Sequence, residues 1–301
     1  MPKIDTPAMQ KLQKQNHTKP VKQTPWSNTW KRLKKDKSAM FGLFIIGILV
    51  ICAIFPNYIA PYGYDEQDYS AKFIFPNAKH IMGTDNFGRD IFSRIIYGAR
   101  ISIQIGFIAV SLSAIIGGFL GAVAAFYGGK VDNYIMRFID ILLAVPSTLL
   151  AISIAAALGP GLFNMMIAVG IGGVPAYSRI VRASILTIKE QEFVEAARAV
   201  GASDTRIIFR HMLPNSLAPI IVQATLGVAG AILAAAGLSF IGLGIQPPTP
   251  EWGSMLSAGR QYIRDYWYIV TFPGLTIMLT VYAINLFGDG LRDALDPRLK
   301  R

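Results

Sequence analysis

Few side chains in this chain of 301 residues have the type and spacing that bond chemistry needs. His17, His80 and His211 stand too far apart to read as a metal-ligand set, and the single cysteine, Cys52, has no partner for an intramolecular disulfide. Gly129-Lys130 is the one Gly-Lys pair. It lacks the upstream glycine and the following Ser or Thr with which a phosphate loop wraps a nucleotide. No Gly-x-Ser-x-Gly elbow is present to expose a serine nucleophile. What remains is charge in unusual settings. Arg137 and Asp140 sit one turn apart beside a long uncharged stretch, a spacing that lets them pair; a carboxylate at such depth is otherwise a candidate for a transport path. Asp85, Arg89 and Asp90, set beside Gly83 and Gly88, can form a local network that fixes a loop, with a gate or docking contact as the competing use. These groups suit positioning rather than catalysis. The chain is therefore expected to bind no metal or cofactor of its own and not to be an enzyme.

The elements that hold these residues are apolar. Hydrophobic residues make up 52% of the sequence and charged residues 16%, against about 25% charged in ordinary soluble domains. Five stretches, 38–64, 101–129, 141–178, 212–250 and 266–288, contain no Asp, Glu, Lys or Arg. Each exceeds the roughly 20 residues that a helix needs to cross a bilayer. Leu158-Gly159-Pro160-Gly161 divides the third stretch, and the glycines and prolines from Gly237 to Pro250 break up the fourth. The reading is an all-α integral membrane protein with six transmembrane helices, at about 39–60, 101–127, 134–157, up to 178, 217–238 and 267–287. The first apolar run has a long basic leader and no small-residue cleavage site, so it reads as an anchor that stays.

Six crossings place both termini on one side. With that side cytoplasmic, the inner segments hold 22 of the 29 Lys and Arg residues, as the positive-inside rule requires. The net charge of +11 therefore belongs to the membrane flanks and calls for no nucleic acid. Trp26 to Lys37 reads as a short basic interfacial helix, with Trp26 and Trp30 on one face.

The inner segment 189–215 has the most structure of its own. Helical spacing groups Phe193, Ala197 and Val200 on one face; Gly201 interrupts the helix, Ser203 is placed to cap a second one, and Pro214 ends it. The product is a helix–glycine–helix elbow whose small residues, Ala196, Ala197 and Gly201, allow another surface to come very close.

Glu195-Ala196-Ala197, then Gly201, then Leu213-Pro214 resemble the EAA signature of ABC importer permeases, although His211 stands where an Ile is common. Gly83-Thr84-Asp85, Gly88-Arg89-Asp90 and Tyr97-Gly98-Ala99-Arg100 are similar to the stretch before the second helix in the dipeptide, oligopeptide and nickel permeases. The string from Leu238 to Gly253 is similar to the exit of the fifth helix in those permeases, and the ending from Gly288 to Arg301 to the tail of the second, "C" type, subunit of that group.

The resemblance implies a type I ABC importer permease fold. Its parts are a basic cytoplasmic tail (1–38), a first transmembrane helix (39–60), an external segment (61–100), a permease core (101–288) carrying the elbow 189–215, and a cytoplasmic tail (289–301). It also implies a bacterial or archaeal cell membrane, a homologous second permease, two ATP-binding subunits that use ATP and Mg, and an external substrate-binding protein. The substrate implied is a di- or oligopeptide, with nickel or a metal–chelator complex as the alternative. An ion-coupled secondary carrier is the alternative of another class, disfavoured because Asp140 is the lone acid inside a predicted span.

Overall fold

The computed structural model describes residues 25–296. Most of the basic tail, including His17, and the last five residues lie outside the described part, as does the side chain of Trp26. Among the described residues there are helices, turns and one isolated bridge, Thr84 to Asp90, but no strands.

A short helix α1 (Pro25–Leu33) buries Leu33 against Ala39 and Ala294, and Lys34 lies over the Trp30 ring. Asp36 then caps α2 (Lys37–Ile54), accepting from the Ser38 and Ala39 amides. A turn-rich apron, residues 60–90, leads to α3 (Ile91–Tyr127). This helix starts ten residues before the expected 101. The charges that suggested a break serve the ends of other segments: Arg100 donates to the Ala53 and Ile54 carbonyls that close α2, and Arg94 to the Tyr64 and Pro248 carbonyls.

The helix expected at 134–157 is two helices, α4 (Gly129–Ala144) and α5 (Ser147–Leu158), bent by 88°. Pro146 has no N–H to continue α4, and its ring forces Val145 into an extended backbone. Next, α6 (Leu162–Lys189) runs past the expected end at Ser178 to the edge of the elbow. The elbow comprises α7 (Glu192–Ala199) and α8, a helical stretch over 204–215 with a π turn at Ile207–Met212. It leads into α9 (Leu217–Phe240). A loop with a cis Pro247–Pro248 bond precedes α10 (Trp252–Gly259), a helix the sequence reading missed, and α11 (Tyr268–Leu295) completes the bundle.

The central seam is α3 against α6. A Cβ on Gly117 would come within 2.5 Å of the Val174 carbonyl, and one on Gly121 would run into the Ser178 carbonyl. The bare backbones instead share hydrogen bonds. Ser178 donates to the Gly117 carbonyl at 3.0 Å and Ser113 to the Gly170 carbonyl at 2.6 Å. Among the described residues four helices, α2, α3, α9 and α11, are long and apolar enough to cross a bilayer, and the bent pair α4–α5 makes a fifth if it is one span. The remaining long helix, α6, carries Pro175, Arg179 and Arg182.

Candidate functional site

The elbow is built on the C-terminal ends of α3 and α6. Val194, Ala197, Ile207, Ile208 and Met212 are buried with Phe126 of α3 and Ile185 of α6 in one cluster. The Lys189 ammonium donates to the Ala125 and Phe126 carbonyls at 3.1 and 2.7 Å, closing the end of α3, while the Arg198 guanidinium lies 5.4 Å from the Phe126 ring centre.

At the corner, Gly201 takes φ +76°. Its amide donates to the Arg198 carbonyl and that of Ala202 to the Ala197 carbonyl, the two bonds of a Schellman ending. The two halves of the elbow thus share one apolar cluster and a hydrogen-bonded corner.

The opposite face is open. Glu192, Glu195, Ala196 and Pro214 are exposed, Val200 is 83% exposed and Phe209 56%, while Leu213 is half-buried. This corrects two details. Of the three residues expected on one face only Ala197 is buried: its buried companion is Val194, three before it, Phe193 is exposed, and Val200 lies beyond the end of the eight-residue helix. Ser203 stands at the cap position of α8, but its side chain makes no capping bond.

In the apron the expected charge network splits in two. Asp85 accepts from the Phe87 and Arg89 amides and from Arg89 Nε at 2.7 Å, with Arg94 Nε at 3.9 Å. Asp90 faces away from Arg89. Its carboxylate meets His80 Nδ1 at 3.0 Å and accepts from the Ser93 amide and hydroxyl at 2.8 Å, capping α3. All five side chains, His80, Asp85, Arg89, Asp90 and Arg94, are buried. Gly83 and Gly88, at φ +79° and +73°, turn the loop between them.

Asp140 does not pair with Arg137, which is exposed; it accepts from Arg179 of α6 at 2.7 Å. About one turn further along α6, Arg182 grips Asp132 with both arms, at 2.7 and 2.6 Å. The spacing within α4 suggested a local pair, whereas the antiparallel neighbour supplies the partner.

Sequence reasoning also missed Glu251 and Trp252. Trp252 is fully buried and donates from Nε1 to the Ile95 carbonyl at 3.0 Å. Glu251 caps α10 by accepting from the Gly253 and Ser254 amides, and its burial pushes the carboxyl above its ordinary range. The signal was there: three prolines, then an acceptor side chain before an apolar turn.

Between α3, α5, α6 and α9 lies a cavity of about 250 Å³. Its polar groups are Ser113, Ser147, Thr148, Tyr177 and Gln223, and no carboxylate, cation or imidazole lines it. Tyr177 donates to the Gln223 carbonyl at 3.2 Å, tying α6 to α9 across the cavity.

Comparison with known proteins agrees with this geometry. Residues 114–301 match the family described as "Binding-protein-dependent transport system inner membrane component", and residues 24–78 match "N-terminal TM domain of oligopeptide transport permease C". The chain is 53% identical to the dipeptide transport system permease protein DppC of Alkalihalophilus pseudofirmus, over 92% of this chain and 91% of that one. It is 48% identical to the di/tripeptide permease DppC of Pseudomonas aeruginosa (92% and 93% covered). To the glutathione transport system permease GsiD of Escherichia coli it is 46% identical (92% of each). Among solved structures, the inward-facing MetNI methionine ABC transporter superposes with a TM-score of 0.54 at 19% identity, covering 67% of this chain and 96% of that one. An amino acid ABC transporter does so at 0.53 and 14% identity, covering 67% and 94%.

Proposed function

The chain belongs to the family of binding-protein-dependent transport system inner membrane components, a multi-pass permease subunit of an ABC importer, and from that premise we propose that it forms half of a translocation path for di- and oligopeptides. Its elbow, on this reading, docks into an ATP-binding subunit, one of a pair that uses ATP and Mg. A homologous second permease completes the cavity, and an external binding protein delivers the ligand. Both termini and the elbow lie in the cytoplasm, with α6 as the sixth crossing.

One observation carries this reading. The elbow is clamped to the inner ends of α3 and α6 by a shared apolar cluster, yet it leaves Val200 and Phe209 in the open. A rigid knob with an unpartnered apolar tip suits a second protein that pulls on it. ATP-driven closure of the ATPase pair would draw the elbows together, tilt the helices and alternate access to the cavity. The uncharged wall favours a peptide, whose backbone hydrogen-bonds to hydroxyl and amide groups, over a bare metal ion, which needs carboxylate, imidazole or thiolate ligands.

Affinity purification of the tagged chain in mild detergent tests the assembly. Two ATP-binding proteins in stoichiometric amount are expected, captured by a crosslinker placed at Ala196→Cys. Purification without them, or capture only from the outer side, would refute the elbow's role. For the substrate, uptake of a labelled dipeptide should be competed by unlabelled di- and tripeptides and not by nickel; the reverse pattern sinks the peptide assignment.

A further inference from the structure

Helix α4 is attached to the rest of the chain in an unusual way. Ile139 is its one buried side chain, while Tyr134, Phe138 and Ile141 are exposed. At its start Gly128 and Gly129 take φ +65° and +52°, and no heavy atom stands within 4 Å of a Cβ built on Gly129. At its far end the chain breaks by 88° around Pro146. A rigid sixteen-residue rod thus lies between two points of easy bending.

Along its length α4 is tied to α6 by the two ion pairs, Arg182 to Asp132 and Arg179 to Asp140. They differ in kind. The Arg179–Asp140 pair is more than half exposed and makes a single short contact. Arg182–Asp132 is bidentate and partly buried, so it fixes direction as well as distance. The helix at one end of this clamp, α6, continues directly to Lys189 and the elbow. The rod at the other end leads through Pro146 into α5, whose Ser147, Thr148 and Ala151 line the cavity.

We propose that α4 is a lever driven by α6 through the Arg182–Asp132 clamp, so that movement of the elbow is delivered to the cavity wall at Ser147 and Thr148. Asp132 and Arg182 are positioning residues: they touch neither nucleotide nor cargo. A displacement of α6 carries α4 with it because the fork cannot rotate without losing both bonds, and the two bends let α4 swing without dragging α3. The inference rests on the elbow reading for its source of motion, and its test is chosen to separate the two.

The test uses the detergent-purified complex carrying Cys52→Ser and Thr148→Cys. Labelling of the new cysteine by a membrane-impermeant maleimide is measured with and without ATP and vanadate. In this parent, trapping nucleotide is expected to change the labelling rate by at least about fivefold, the lower end of typical allosteric coupling. Asp132→Asn should abolish the change while retaining co-purified ATPase subunits and ATP hydrolysis. The exchanged pair Asp132→Arg with Arg182→Asp should restore it, which a general loss of stability would not allow. An undiminished labelling change in Asp132→Asn, or an exchange that restores nothing, overturns the lever and leaves the elbow reading intact. A parent that binds no ATPase at all overturns the elbow reading, and the lever with it.

Discussion

At Gly201 one residue sets the shape of the whole elbow. Its φ of +76° costs an L-residue roughly 1–2 kcal/mol, and the Schellman bonds around it hold α7 and α8 in their mutual angle. The direction in which a side chain would point is empty, with no heavy atom within 4 Å. Gly201→Trp is therefore expected to insert into the membrane at near-parent levels, at a modest loss of stability, yet to bring peptide uptake to background, because in the proposed assembly the bulk stands where the ATPase approaches. Immunoblotting of membranes beside an uptake assay checks both halves; normal uptake would end this account of the corner. Glu251 offers a second test at the same scale. Burial is the larger influence on its carboxyl and raises it above the ordinary 4.5, while the Gly253 and Ser254 amides pull less strongly the other way. The protonated form is the one the fold favours, so its contribution to stability is full below pH 4.5 and is lost as pH rises through the higher folded value. Glu251→Gln cannot ionise. Its thermal midpoint in detergent should vary less than the parent's in the range upward from pH 4.5; superimposable profiles would place the pH dependence in another group.

Elements were legible in the sequence in proportion to how local their causes are. Uncharged length located α2, α9 and the apolar part of α3, and the Glu195–Gly201–Pro214 spacing located the elbow, because hydropathy and backbone preference act over a few residues. Arginine misled the reading where its partner was distant. Arg94 and Arg100 looked like the end of an external loop but lie within α3, satisfied by carbonyls 30 to 154 positions away in the chain. Asp140 looked paired with Arg137 for the same reason, the true partner being on α6. Pro146 permits a bend, but neither its 88° nor the separate identity of α5 follows from composition. The α3–α6 seam is only half local: Gly117 and Gly121 stand in plain view in the sequence, but nothing near them in the chain names the helix they meet. Gly121→Val is expected to destabilise by about 1–3 kcal/mol, because its Cβ meets the Ser178 backbone, which has no rotamer to escape into. Gly230→Ala, where nothing stands within 4 Å, is the comparison and should not lower the thermal midpoint. Equal losses in both would mean that the seam is looser than the backbone distances state.

For the whole molecule the decisive quantity is parity. Tyr58, in a short turn of helix just beyond α2, is 87% exposed, as Val200 at the elbow is 83% and Ile263 between α10 and α11 is 54%. From Tyr58 to Val200 the chain passes through α3, the bent pair α4–α5, and α6. If the bent pair crosses the bilayer, three crossings put Tyr58 and Val200 on opposite sides; if it dips in and returns, two crossings put them on the same side. Charge favours the first arrangement. It places Arg179, Arg182, Lys189, Arg198, Arg206 and Arg210 on the same side as the basic amino-terminal segment, and the alternative would put this cluster outside. The lever also needs α4–α5 to cross, since a returning loop would put the elbow on the side away from the ATP supply. In a Cys52→Ser background, Tyr58→Cys and Ile263→Cys should react with an impermeant maleimide added to intact cells, and Val200→Cys only after the membrane is opened. Labelling of Val200→Cys from outside would reduce the bent pair to a re-entrant hairpin and place the elbow outside the cytoplasm, which removes the proposed link between ATP and the cavity.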